Sequence, residues 1–165
     1  MAEGVKESDF EYDVVKSLGR FEEYMPLDRS LYDKDLCLIP AEVIAFVKDT
    51  QPKEYEQLSK EYGADTDRKI VENVAKSVNA NKTIKVLREG TIKDRGVKLQ
   101  MAFFKPNHNR TPEHLEKYGK NRLAVVRQLK YSNQNENSLD IVLFVNGIPV
   151  ITMELKNALT GQYLS

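Results

Sequence analysis

The chain has 165 residues, 41% of them hydrophobic and 30% charged, which bounds it to one soluble domain able to bury a sizeable core. No apolar run approaches the length of a membrane span, and the acidic, Phe- and Tyr-containing start is not a secretory signal. The single cysteine, Cys37, excludes an internal disulfide and a cysteine-based zinc site and suits a reducing cytoplasm; its apolar neighbours predict a packed thiol. A formal net charge of zero conceals a division. Residues 1–80 carry 11 basic and 18 acidic side chains, whereas residues 81–165 carry 14 and 7. The C-terminal half is the basic one, as expected of a surface that faces phosphates.

Ser8-Asp9-Phe10-Glu11 reads as a capping box that opens a helix, with Phe10, Val14, Leu18 and Phe21 as its apolar stripe. Three more helices are predicted over residues 40–50, 52–62 and 66–78. Pro40 and Pro52 suit first-turn positions, and Gly63 suits a C-terminal cap. In the last of these, Ile70, Val71, Val74 and Val78 form a packing stripe, while Asp67-Arg68-Lys69 mimics an acid-x-Lys motif whose members cannot converge on a helix. Residues 81–89 read as a short helix ending at Gly90. From 97 to 104, Val97, Leu99, Met101 and Phe103 alternate with Lys98 and Gln100, the pattern of a half-buried strand. A short helix follows over 112–121, then a strand over 123–131. Helices first and antiparallel strands after them describe an α/β sandwich around a mixed sheet. A further helix is expected near Thr160, and the stop at Ser165 suggests a fragment of a longer protein.

The segment SLDIVLFVNGIPVITMELKN carries the chemistry. Asp140 opens one apolar run and Glu154-Leu155-Lys156 closes the next, and no other Glu in the chain has a Lys two residues later. Two carboxylates and an ammonium brought together can hold a divalent metal beside a phosphodiester and activate a water molecule. The oxygen ligands suit Mg²⁺, with Mn²⁺ as its substitute. Asp140 and Glu154 would bind the metal, and Lys156 would position the water or the phosphate and favour the hydroxide form. Both runs are apolar on both faces, so the carboxylates fall in a setting where they are costly unless paired or bound to a cation.

Geometry tests this reading. Asn146-Gly147 is a strong hairpin signal because both residues tolerate positive φ. A regular two-residue loop would pair Val145 with Ile148 and Asp140 with Met153, sending Asp140 and Glu154 to opposite faces. A three-residue loop with Gly147 as the left-handed bulge residue would pair Asp140 with Thr152. Asp140, Glu154 and Lys156 would then share a face, with the two acids diagonal neighbours roughly 7–8 Å apart. A working site therefore requires a bulge or an equivalent kink in this hairpin.

Beyond these residues, the stretch from Tyr131 to Asn157, YSNQNENSLDIVLFVNGIPVITMELKN, resembles the nuclease domain of type I restriction enzyme R (HsdR) subunits. GVKLQMAFFKP and NRLAVVRQLKYS resemble the segments before it, and YDKDLCLIPAEVIAFVKDTQP the family's N-terminal helical region, so the resemblance covers most of the chain. It implies a PD-(D/E)XK restriction-endonuclease-like fold over residues 1–165, with a helical part over 1–90 and a catalytic sheet over 91–157. Asp140, Glu154 and Lys156 match the three motif residues, and the Leu155 carbonyl would complete the metal's protein ligands. The resemblance also implies double-stranded DNA as substrate, modification and specificity subunits as partners, and an ATP-driven motor. With no Gly-x-x-x-x-Gly-Lys-Ser/Thr present, that motor lies outside this chain. One departure is that the family's Gln-x-x-x-Tyr element after Glu-x-Lys is not completed before Ser165. Gln51-x-x-x-Tyr55 has the spacing but lies far upstream and reads as chance.

Nucleases of this fold often add an acid from the first helix to the metal shell. That makes Glu11 an accessory candidate beside its capping role, and Glu22 a weaker one. Arg122, Arg127 and Lys130, on or beside the strand preceding the motif, are candidate DNA-backbone contacts. The loop Lys105 to Arg110 reads as solvated, and His108 and His114 lack the pattern of a zinc hydrolase. Two other readings stand beside the nuclease. One is a docking module that does not cleave, using the acidic N-terminal half as its partner surface. The other is a stand-alone DNA repair nuclease of the same fold.

Overall fold

The computed structural model describes residues 7–21, 23–107, 111–133 and 136–156. Proline sets three helix starts. Pro40, Pro52 and Pro112 open α2 (Pro40–Thr50), α3 (Pro52–Tyr62) and α6 (Pro112–Gly119), where the missing N–H costs nothing and the fixed φ is already helical. Before them come α1 (Glu7–Phe21) and the short β1 (Met25–Pro26). After α3, α4 (Thr66–Asn81) runs three residues past the predicted Val78, and α5 (Thr83–Glu89) follows at once. Lys82, at φ +66°, breaks the two apart, and Gly90, at φ +85°, ends α5 as expected.

Three strands complete the sheet: β2 (Leu123–Lys130), β3 (Ser138–Val145) and β4 (Ile148–Met153). The order is β1-β2-β3-β4, with β1 parallel to β2 and the other pairs antiparallel, so the sheet is mixed. One face carries Ala124, Val126, Val142 and Phe144 against Ile39. The other carries Val125, Ile141 and Leu143, covered by Val14, Val15 and Leu18 of α1. A larger core lies among α2 to α5, where Val43, Phe46, Val47, Val74 and Val86 are fully buried. No helix among the described residues is long and apolar enough to cross a membrane.

Four sequence expectations need correction. The alternation at 97–104 is real burial without a strand. Val97, Leu99 and Met101 sink into the helical core, each contributing about 1.5–3 kcal/mol of apolar burial, yet no ladder forms there. The backbone is satisfied largely by side chains instead. Gln51 bonds both N–H and C=O of Gln100, Asn121 does the same for Phe103, and Asn146 Nδ2 donates to the Met101 carbonyl at 2.8 Å. Gln51 and Tyr55, which bonds Asp67, are thus occupied structurally, in keeping with the chance reading of their spacing.

The second correction is at α1. The helix is already formed at Glu7, so Ser8 lies inside it and no capping box closes between Ser8 and Glu11. The buried face is Glu11, Val14, Val15 and Leu18, while Phe10 is 49% exposed; the Phe21 side chain lies outside the described residues. Third, Cys37 is exposed at φ +54°, its thiol donating to the Lys34 carbonyl, because the tight turn around it faces outward. Fourth, α6 ends at Gly119, so that Asn121 is free to bond the 97–104 segment. Glu22, His108, Arg110 and the helix expected near Thr160 lie outside the described residues.

The hairpin turn is pinned to the helical layer. Asn146 and Gly147 take φ +51° and +81°, and the Gly147 carbonyl accepts from Ile39 N–H at 2.9 Å, at the start of α2. A Cβ on Gly147 would lie 2.6 Å from the Ile39 carbonyl and 2.9 Å from Val43 N, so only glycine fits.

Candidate active site

The turn has two residues, with Val145 opposite Ile148, and the register then shifts by one between Phe144↔Pro149 and Leu143↔Ile151. Val150 is the extra residue. The bulge therefore sits inside β4 and not at Gly147, and it shifts the register by the one residue expected. Ile141 pairs with Met153, the last pair of the ladder, and Asp140 and Glu154 are the next residues beyond it on the two chains. The register that would pair Asp140 with Met153 therefore does not form. Asp140 also holds the chain leaving β4, since Leu155 N–H donates to its Oδ2 at 2.7 Å.

Asp140 is half-buried. Glu154 and Lys156 are exposed and form no ion pair or hydrogen bond among the described residues, whereas the Leu155 side chain packs toward the α1 face. The structure thus brings together the Asp140 carboxylate and the Leu155 main chain, and leaves the Glu154 and Lys156 side chains exposed.

Glu11 reaches the same end of the sheet. It is 4% exposed, and its Oε2 accepts from Arg127 Nη2 at 3.0 Å and Nε at 3.3 Å. Its Oε1 accepts from Gln128 Nε2 at 2.6 Å, and that same amide nitrogen lies 3.3 Å from Asp140 Oδ1. One amide thus links Glu11 to Asp140. Gln128 lies across from Asp140, between the Arg127–Ile141 and Leu129–Leu139 pairs, and adopts φ +48° within β2. The left-handed residue resets the strand's alternation, so Leu129 packs with Ala124 and Val126 despite its odd position. Sequence reasoning missed Gln128. Its only signal was the polar pair Arg127-Gln128 interrupting the apolar run of β2.

The basic candidates divide. Arg127 borders the site through Glu11. Lys130 pairs with Glu136, whose carboxyl it holds below the usual range. Arg122 is not near the carboxylates. It lies beside the turn residue Asn146, six positions before Gln128 and so roughly 20 Å along the strand. There it grips Glu42 with two hydrogen bonds, at 2.7 and 3.1 Å, which raise its already high pKa. His114 bonds the Phe104 carbonyl, away from any acid cluster. Asp67 of the decoy motif is taken by Lys48 and Tyr55.

Among the described residues no three Asp, Glu, His or Cys side chains gather closely enough to hold a metal ion by themselves. The donors expected from the sequence, the Asp140 and Glu154 carboxylates and the Leu155 carbonyl, are all oxygen. That chemistry fits Mg²⁺, which takes one or two protein carboxylates and keeps several waters.

No curated protein and no solved structure matches the chain. A family model does: the type I restriction enzyme R protein N terminus (HSDR_N) matches residues 32–163, a span that includes Asp140, Glu154 and Lys156 and leaves α1 outside. The chain belongs to the family of type I restriction enzyme R protein N termini.

Proposed function

We propose that this domain is the DNA-cleaving part of a type I restriction R subunit, a metal-dependent endonuclease of PD-(D/E)XK architecture. The observation that carries the reading is the one-residue bulge at Val150, which excludes the regular register that would pair Asp140 with Met153 and brings the ends of β3 and β4 that bear Asp140 and Glu154 side by side. The mixed sheet beside a helical layer is compatible with that architecture, and the family supports the restriction setting.

In this reading Asp140, Glu154 and the Leu155 carbonyl hold Mg²⁺, or Mn²⁺ in its place. A bound Mg²⁺ would supply charge stabilisation at the scissile phosphate and a lowered pKa for the attacking water. The chain's own residues do the rest. Leu155 N–H orients the Asp140 carboxylate. Lys156, exposed and two residues beyond Glu154, brings its ammonium to the attacking water or to a phosphate oxygen, where positive charge favours the hydroxide form. The water oxygen bonds to phosphorus as the P–O bond to the leaving oxygen breaks. Arg127 and Lys130 flank this end of the sheet as backbone contacts; each is shared with a carboxylate, so each would exchange partners when DNA arrives. Modification and specificity subunits would choose the target, and an ATP-driven motor outside this chain would deliver the DNA.

Plasmid DNA incubated with the protein and Mg²⁺ tests this. Nicking or linearisation that disappears with chelator and in Asp140→Ala is expected. A folded protein that binds duplex DNA but never cuts it would instead be a docking module of the restriction complex.

A further inference from the structure

We propose that Gln128 is a positioning residue of this centre, its amide fixing the rotation of the Asp140 carboxylate; the inference rests on the nuclease reading above. Asp140 has two donors from different parts of the sheet. Gln128 Nε2 reaches Oδ1 from β2 at 3.3 Å, and Leu155 N–H reaches Oδ2 from the end of β4 at 2.7 Å. Held at both oxygens, the carboxylate cannot turn about its Cβ–Cγ bond, and its remaining lone pairs keep one direction. Metal-ligating carboxylates depend on such partners for their orientation.

Gln128 is itself immobilised. Its Oε1 accepts from Ser138 Oγ at 3.1 Å, and its Nε2 donates to the buried Glu11 Oε1 at 2.6 Å. A carboxylate only accepts and the serine has a proton to give, so this pattern permits one orientation of the amide. Arg127 secures Glu11 from the other side. The backbone also bends toward this end: φ +48° is a region that non-glycine residues enter rarely, and such strain clusters at functional sites. If the amide served only to satisfy Glu11, its second contact with Asp140 would have no consequence.

Manganese titration by calorimetry separates these roles, using wild type, Asp140→Ala and Gln128→Gly. Glycine accepts φ +48° without strain, so the strand keeps its turn while the amide is lost. The Gln128→Gly protein is expected to bind Mn²⁺ about 10–100-fold more weakly than wild type, the usual loss when a ligand's supporting partner is removed. If Gln128→Gly folds poorly, Gln128→Asn carries the test. Asn tolerates the left-handed backbone, but its amide is one methylene shorter and is drawn back from Asp140, so the same weakening is expected. Affinity within twofold of wild type in a folded variant, while Asp140→Ala loses binding, would overturn the role of Gln128 alone. Wild type that binds no Mn²⁺ would remove the nuclease reading, and this proposal with it.

Discussion

Asn146→Ala is expected to cost about 3–5 kcal/mol of folding stability, a large part of what a domain of this size possesses. Asn146 is fully buried at φ +51°, a conformation that Asn tolerates and Ala resists. Its Oδ1 accepts from Arg122 N–H at 2.7 Å, and its Nδ2 donates to the Met101 carbonyl at 2.8 Å and to Asn121 Oδ1 at 3.0 Å. One side chain therefore ties the hairpin turn to the start of β2 and to the extended segment around Met101. Truncation leaves each partner short of a bond, at about 1–3 kcal/mol for a buried group. Asn146→Asp should be nearly as damaging despite its similar size, because a second acceptor would face the Met101 carbonyl. Urea unfolding followed by circular dichroism measures both; a loss below about 1 kcal/mol would show that neighbouring groups or water replace the amide.

Lys156→Ala should do the opposite, leaving the fold intact and removing the chemistry. The side chain is exposed and unpaired among the described residues, so its loss is expected to change stability by less than about 0.5 kcal/mol. Cleavage should fall by about 10²–10⁴-fold, the range for a group that assists proton transfer or stabilises charge in the transition state. Lys156→Arg should restore only part of this, because a planar, fork-shaped guanidinium does not replace a compact ammonium beside a water. Metal binding should survive in both variants, because neither removes an oxygen ligand. A cleavage rate in Lys156→Ala equal to wild type would remove Lys156 from the mechanism.

What could be read from the sequence, and what could not, follows from the range of each signal. Pro40, Pro52 and Gly90 act through their own backbone, so the limits of α2 and α3 and the end of α5 were legible. Asn146-Gly147 announced the hairpin for the same reason. That a kink must exist followed from parity, but its location did not. An extra residue at Gly147 or at Val150 shifts the register equally, and only pairing along the whole strand chooses between them. The alternation from Val97 to Phe103 reported burial correctly, since burial concerns each side chain singly. Pairing requires a neighbour, and here Gln51, Thr91, Asn121 and Asn146 took that place from widely separated parts of the chain. The same separation hid the Arg122–Glu42 pair and the link from Glu11 through Gln128 to Asp140. Glu11 drew notice for its residue type and for a capping role that the helix start at Glu7 removes. Its actual partners lie more than a hundred residues away.

The central claim is that Asp140 and Glu154 hold one metal together. Calorimetric titration of Mn²⁺ into wild type, Asp140→Ala and Glu154→Ala tests it most directly, because it needs neither DNA nor a motor. The account predicts a binding event in wild type that disappears in both variants. Binding of equal strength in all three folded proteins would contradict it and leave the two carboxylates without a shared site.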